Sequence, residues 1–264
     1  MSYYQLRDGT RIRYSLRGSG PQTYVLVHGW KQSHRLYDRV VHILSQEARV
    51  LTFDQRGMGE SDKPDCAYDF STLAGDLGEL ISAFKITDST LLGWSMGCTT
   101  SLSYLAQNQE GVSRVALLNG PLRLTKSAEF PHALREDELD KYISDMESEW
   151  PKHELLFYED SLLPRHSFIA PLLLSVGLQT PLDVALKLVR NQSRIDHTET
   201  IKNLDLPILA LYSAFDPYWP IELGKWIEDN GKFARLHILN DSAHCAPLEE
   251  PTNLASHLRE FAKV

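Results

Sequence analysis

The stretch TLLGWSMGCTT, residues 90–100, constrains this chain more than any other. Residues 90–94 are an apolar run of strand length, and from Met96 onward the pattern is helical. Ser95 stands at the junction, between Gly93 and Gly97. A chain that turns from strand to helix at one residue needs a sharp, strained corner, and the flanking glycines let the backbones approach closely. Such a corner presents the Ser95 hydroxyl at the carboxyl edge of a sheet. The helix N-terminus beside it offers free N–H groups to negative charge. A serine in this pattern can also be an ordinary turn residue, so the rest of the chain has to supply its partners.

The surroundings fit a βα alternation. A hairpin is expected around Asp8-Gly9. Short apolar runs at 23–29, 49–57, 89–95 and 112–120 read as strands. Helical patterns fall between them at about 35–46, 69–86 and 96–109. In the second of these, Leu73, Leu77, Leu80, Ile81 and Phe84 form one stripe, and Asp69 or Ser71 can cap it. From 121 to 203 only helical patterns appear, and then strand-helix alternation resumes to the C-terminus. The expectation is an α/β core over 1–120 and 204–264, a mostly parallel sheet covered on both faces, with a helical cap inserted over 121–203.

Composition narrows the partners. A net charge of −8 argues against nucleic acid or an anionic membrane. No apolar run approaches the ~20 residues of a membrane span. The polar start MSYYQLRDG has no secretory pattern. Cys66, Cys98 and Cys245 are too few and too scattered for a disulfide framework. A cytoplasmic protein with reduced thiols is expected, acting on a small molecule as a monomer or homodimer. The ten histidines show no metal-ligand spacing, and no cofactor is implied.

A serine nucleophile needs a base, and the base needs an orienting carboxylate. On a sheet of this kind both belong on later strand-end loops, acid before base. Asp216 follows the run LALYSAF, and His244 follows HILNDSA, so Ser95, Asp216 and His244 stand in the required order. Asp241 is a weaker candidate acid, Asp205 lies at the wrong end of its strand, and Asn119 cannot be anionic. The oxyanion needs two backbone N–H groups, one after the nucleophile and one from an early βα loop; Met96 and Trp30 fit.

These motifs together resemble the α/β-hydrolases, in the branch of small esterases, lactonases, carbon–carbon bond hydrolases and cofactor-free haloperoxidases. The matching residues are HGW (28–30), DQRGMGES (54–61), GWSMG (93–97), the Asp216 loop and AHCAPLEEP (243–251). The resemblance implies an eight-stranded sheet, a loop near the site shaped by Arg56, Gly57 and Gly59, and structural roles for Asp54 and Asp76. Relatives that open epoxides or remove halides have Asp where this chain has Ser95, which argues against those activities.

The expected activity is hydrolysis of an ester, lactone or related carbonyl bond. His28, Trp30, His34, Trp94, Tyr218 and Trp219 are expected around a pocket for an apolar or aromatic substrate. Most cap hydrophobics, among them Phe130, Trp150, Phe157, Tyr158, Phe168 and 172–174, are expected to pack on one another. A second resemblance stays open. HGWKQSHRLY (28–37) is similar to cofactor-free dioxygenases of this fold that cleave hydroxyquinolones, with His34 retained. A slow-turnover ligand receptor is the third reading.

Overall fold

The computed structural model describes residues 2–264; Met1, the first residue of the expected core segment, lies outside them. Eight strands form one sheet: β1 (Ser2–Gln5), β2 (Arg11–Arg17), β3 (Gln22–Val27), β4 (Ala48–Phe53), β5 (Thr90–Trp94), β6 (Arg114–Leu118), β7 (Ile208–Ser213) and β8 (Ala234–Leu239). Their order is β1-β2-β4-β3-β5-β6-β7-β8. The first two strands make the expected antiparallel hairpin, and β2 pairs antiparallel with β4; all other pairings are parallel. The register sets Val27 beside Gly93 and Trp94 beside Leu118. The carboxyl ends of the central strands therefore finish level, and the loops that follow them meet.

Every residue of β5 and β7 is buried, as strands covered on both faces require. One face is covered by α2 (Phe70–Ala83), α3 (Met96–Leu105) and α9 (Ile221–Asn230). On the other lie α1 (Asp38–Leu44), α10 (Ala246–Glu249) and α11 (Pro251–Phe261). The α2 stripe buries Leu73, Leu77, Leu80 and Ile81, each worth about 1.5–3 kcal/mol. Asp69 is its cap, accepting the Thr72 N–H at 2.8 Å, which settles the choice between Asp69 and Ser71.

Between β6 and β7 the chain is helical: α4 (Glu136–Glu149), α5 (Lys152–Asp160), α6 (Ala170–Gly177), α7 (Leu182–Gln192) and α8 (Thr198–Asn203), with a 3-10 turn at Pro164–Ile169. The excursion leaves and returns through a narrow neck. There the His197 N–H donates to the Leu122 carbonyl at 2.9 Å, and Arg123 pairs with Asp196 at 2.9 Å. Phe130 and Tyr158 are buried as expected, but Phe168 and Leu172 are more than half exposed, so they are not cap core. Among the described residues no single helix is long and apolar enough to cross a membrane.

Candidate active site

Ser95 occupies the corner between β5 and α3 with φ +55° and ψ −123°. This is the strained left-handed corner that a strand-to-helix nucleophile turn demands. The glycines make it possible. A Cβ on Gly93 would lie 2.6 Å from the Gly97 carbonyl oxygen, and one on Gly97 would lie 2.2 Å from that of Val27.

His244 Nε2 is 3.0 Å from Ser95 Oγ, and His244 Nδ1 is 2.8 Å from Asp216 Oδ2. The Asp216 carboxylate is fully buried, and its other oxygen accepts the N–H groups of Tyr218 at 2.8 Å and Trp219 at 3.2 Å. The carboxylate is thus fixed before it meets the imidazole. Asp241 does not compete: it is exposed and pairs with Arg165.

Asn119, considered above only as an excluded acid, turns out to hold the loop that carries His244. With φ +44° its amide donates to Ser213 Oγ at 2.8 Å and to the carbonyls of Ala243 and His244, both at 3.2 Å. The Trp94 indole donates to the same His244 carbonyl at 2.9 Å.

Met96 and Trp30, the residues expected to form the oxyanion hole, line the same cavity as Ser95. Met96 opens α3, so its N–H has no intrahelical acceptor. The Trp30 N–H has no acceptor among the described residues. A Cβ on the preceding Gly29 would lie 3.1 Å from Ser95 Cβ, which is how closely this loop approaches the corner.

Ser95, His244, Trp30 and Met96 open onto a cavity of about 260 Å³. Its wall is apolar: Pro121, Leu124, Leu134, Leu139, Tyr142, Phe157, Val189, Tyr218 and Trp219, with Gln192 and Glu138 as the polar exceptions. Tyr218 stacks on Phe157 at 5.3 Å and meets His244 edge-on at 5.1 Å. Burial pushes the Tyr218 phenol up, so it stays protonated, 3.0 Å from the Phe157 carbonyl and 3.1 Å from Ser161 Oγ. Trp30, Tyr218 and Trp219 therefore stand where expected.

Three expected pocket residues do not. His28 is fully buried: Nδ1 lies 2.8 Å from the Gly29 carbonyl and Nε2 accepts the Gln55 N–H at 2.9 Å. Burial lowers its pKa to about 4, against the pull of Asp54, and it serves as a neutral brace. His34 is held by Asp54, Nδ1 to Oδ1 at 2.7 Å. Burial raises the Asp54 pKa, but bonds and charge from His34 outweigh this and hold it at about 2. Trp94 is completely buried behind His244. The sequence pattern placed all three close to the site but could not separate the wall from what lies behind it. Asp54 and Asp76 have the structural partners expected, Asp76 with Arg56 at 2.7 Å. Among the described residues no three His, Cys, Asp or Glu side chains are grouped to hold a metal ion.

A family profile described as the alpha/beta hydrolase fold matches residues 24–251. The chain belongs to the α/β-hydrolase family. This hydrolase is 24% identical over 246 residues to the AB hydrolase superfamily protein YisY of Bacillus subtilis, covering 90% of each chain. It is 25% identical over 259 residues to a pimeloyl-[acyl-carrier protein] methyl ester esterase of Neisseria meningitidis, covering 96% of this chain and 98% of that one. Among solved structures, an esterase from Exiguobacterium antarcticum superposes with a TM-score of 0.93 at 25% identity, over 100% of this chain and 99% of that one. The enol-lactonase of Burkholderia xenovorans, at 20% identity, shares the fold with a TM-score of 0.86, over 100% of both chains.

Proposed function

We propose that this hydrolase cleaves esters of small apolar or aromatic substrates with Ser95 as nucleophile, His244 as base and Asp216 as its orienting carboxylate. The observation that carries this reading is the unbroken Ser95–His244–Asp216 hydrogen-bonded chain at the wall of an apolar cavity. His244 takes the Ser95 proton as Oγ attacks the ester carbonyl, and Asp216 stabilises the imidazolium. The amides of Trp30 and Met96 face the developing oxyanion. His244 then gives the proton to the leaving alcohol, and water, activated in turn by His244, releases the acid.

The cavity lies below the ~300–1,000 Å³ of drug-sized sites, which favours a short acyl chain or a single ring. The oxygen-dependent reading drew on the stretch HGWKQSHRLY with His34 retained, and that side chain is engaged by Asp54 outside the cavity wall. The names of the esterase relatives point the same way as the geometry.

The test is a panel of p-nitrophenyl esters of graded chain length, wild type beside Ser95→Ala, with fluorophosphonate labelling. Turnover on short acyl chains that disappears in the variant, with a single label on Ser95, is expected. Turnover unchanged in Ser95→Ala would overturn the nucleophile. A wild-type protein that labels slowly without appreciable turnover would point to a ligand receptor, and one that neither labels nor turns over would overturn the reading.

A further inference from the structure

Lys31 is the residue after the proposed oxyanion donor Trp30, and its side chain has no solvent exposure. Its ammonium lies 2.6 and 2.5 Å from the two carboxylate oxygens of Glu154, which is equally buried. Glu154 belongs to α5, in the cap. The same ammonium sits 3.8 Å from the centre of the Trp30 ring. The Lys31 backbone has φ +54°, a left-handed conformation that a lysine holds only where its surroundings fix it.

Core residues hold the start of this turn, with His28 Nδ1 2.8 Å from the Gly29 carbonyl, and two further restraints come from the cap. The Trp30 indole donates to the Ala185 carbonyl of α7 at 3.2 Å, and Tyr158 of α5 donates to the Lys31 carbonyl at 3.4 Å. A buried ion pair is a poor source of net stability, because desolvating both charges offsets most of their attraction. What this pair does is geometric. It joins the strained turn, the face of Trp30 and cap helix α5 at one point.

From this we infer that Lys31 is a positioning residue: its contact with Glu154 couples docking of the cap to the placement of the Trp30 N–H toward the oxyanion. The cap then completes the catalytic apparatus as well as roofing the cavity, although it contributes none of the three proposed catalytic side chains. The inference rests on the ester-hydrolase reading above. An N–H that is misplaced weakens binding of the transition state and leaves binding of the neutral ester nearly untouched.

The test compares wild type, Lys31→Met and the double variant Lys31→Met/Glu154→Leu on one short p-nitrophenyl ester. A trifluoromethyl ketone, which adds to Ser95 and generates an oxyanion there, reports on the hole directly. The single variant leaves a buried carboxylate unpaired and can fail to fold; the double variant replaces the pair with apolar groups and keeps the interface buried. The double variant is expected to melt near wild type and to lose about 10- to 100-fold in kcat, with KM within about 3-fold. Ketone affinity should fall in parallel with kcat. A double variant with wild-type kcat and ketone affinity would overturn the inference and leave the pair a packing feature. Loss through KM alone would equally overturn it. A wild-type protein without ester turnover or Ser95 labelling would instead overturn the underlying reading, so the two failures are distinct.

Discussion

His197 stands at the neck of the cap with Nε2 3.0 Å from Ser103 Oγ and Nδ1 3.1 Å from Thr200 Oγ1. Burial lowers its pKa from 6.5 to about 4. Its folded value lies below its unfolded one, so the unfolded chain takes up the proton first. The neutral imidazole contributes its full share of stability above pH 6.5, and that share is lost as the pH falls from 6.5 toward 4. At pH 5 the loss amounts to about 2 kcal/mol relative to pH 7. His28 has a shift of the same size and adds a similar share. Chemical denaturation of the wild type at pH 7 and pH 5 should therefore show a loss of about 4 kcal/mol from these two histidines, with His237 and His257, whose pKa values burial also lowers, adding in the same direction. His197→Gln, which cannot titrate, should lose about 2 kcal/mol less than the wild type between the two pH values, whatever it does to stability at pH 7. Equal pH dependence in wild type and variant would refute the assignment of acid sensitivity to this histidine.

Three further outcomes are expected. Asn119→Asp sets a carboxylate against the carbonyls of Ala243 and His244; it should destabilise by about 3 kcal/mol and lower kcat by displacing the His244 loop, read by melting and ester turnover. Gly59→Ala should be among the most damaging single changes, since φ is +50° and the new Cβ would lie 2.3 Å from Asp54 Oδ2; expression and melting temperature report it. Leu139→Trp narrows the cavity and should shift the ester chain-length optimum downward, with the longest active substrate lost first.

The strands, the corner at Ser95 and the meeting of Asp216 and His244 with it were legible because each has a local signature: an apolar run, a glycine pair, a strand-end loop. The cap was legible as helix but not as a surface. Glu138, Leu139 and Tyr142 reach the cavity from α4; the stripe Leu139, Tyr142, Ile143 and Met146 marks that helix's inward face, but nothing in its sequence separates the residues that line the cavity from those that pack, or shows that Glu138 joins them. Glu154 is an acidic residue in a charged stretch, and only the tertiary structure shows it fully buried against Lys31, 123 residues earlier. His34 and Trp94 were drawn to the site by proximity in sequence. The side chains of consecutive residues diverge at a tight turn, and these two point away from the cavity into the protein.

The neck at Leu122 and His197 has an evolutionary side. The cap begins and ends at two residues joined by a hydrogen bond, so its length imposes little on the chain around it. Loop-closure entropy grows only slowly with length, so a longer or shorter excursion changes that cost by less than a kcal/mol or so. Ser95, Asp216, His244, Trp30 and Met96 all lie outside 123–196, as does the crossover helix α8 that returns the chain to β7. On the proposed reading, segment 123–196 holds none of the groups that do the chemistry. A lineage that exchanged it is expected to change its substrate range and keep the proposed chemistry, provided that the incoming segment supplies Lys31 with a partner.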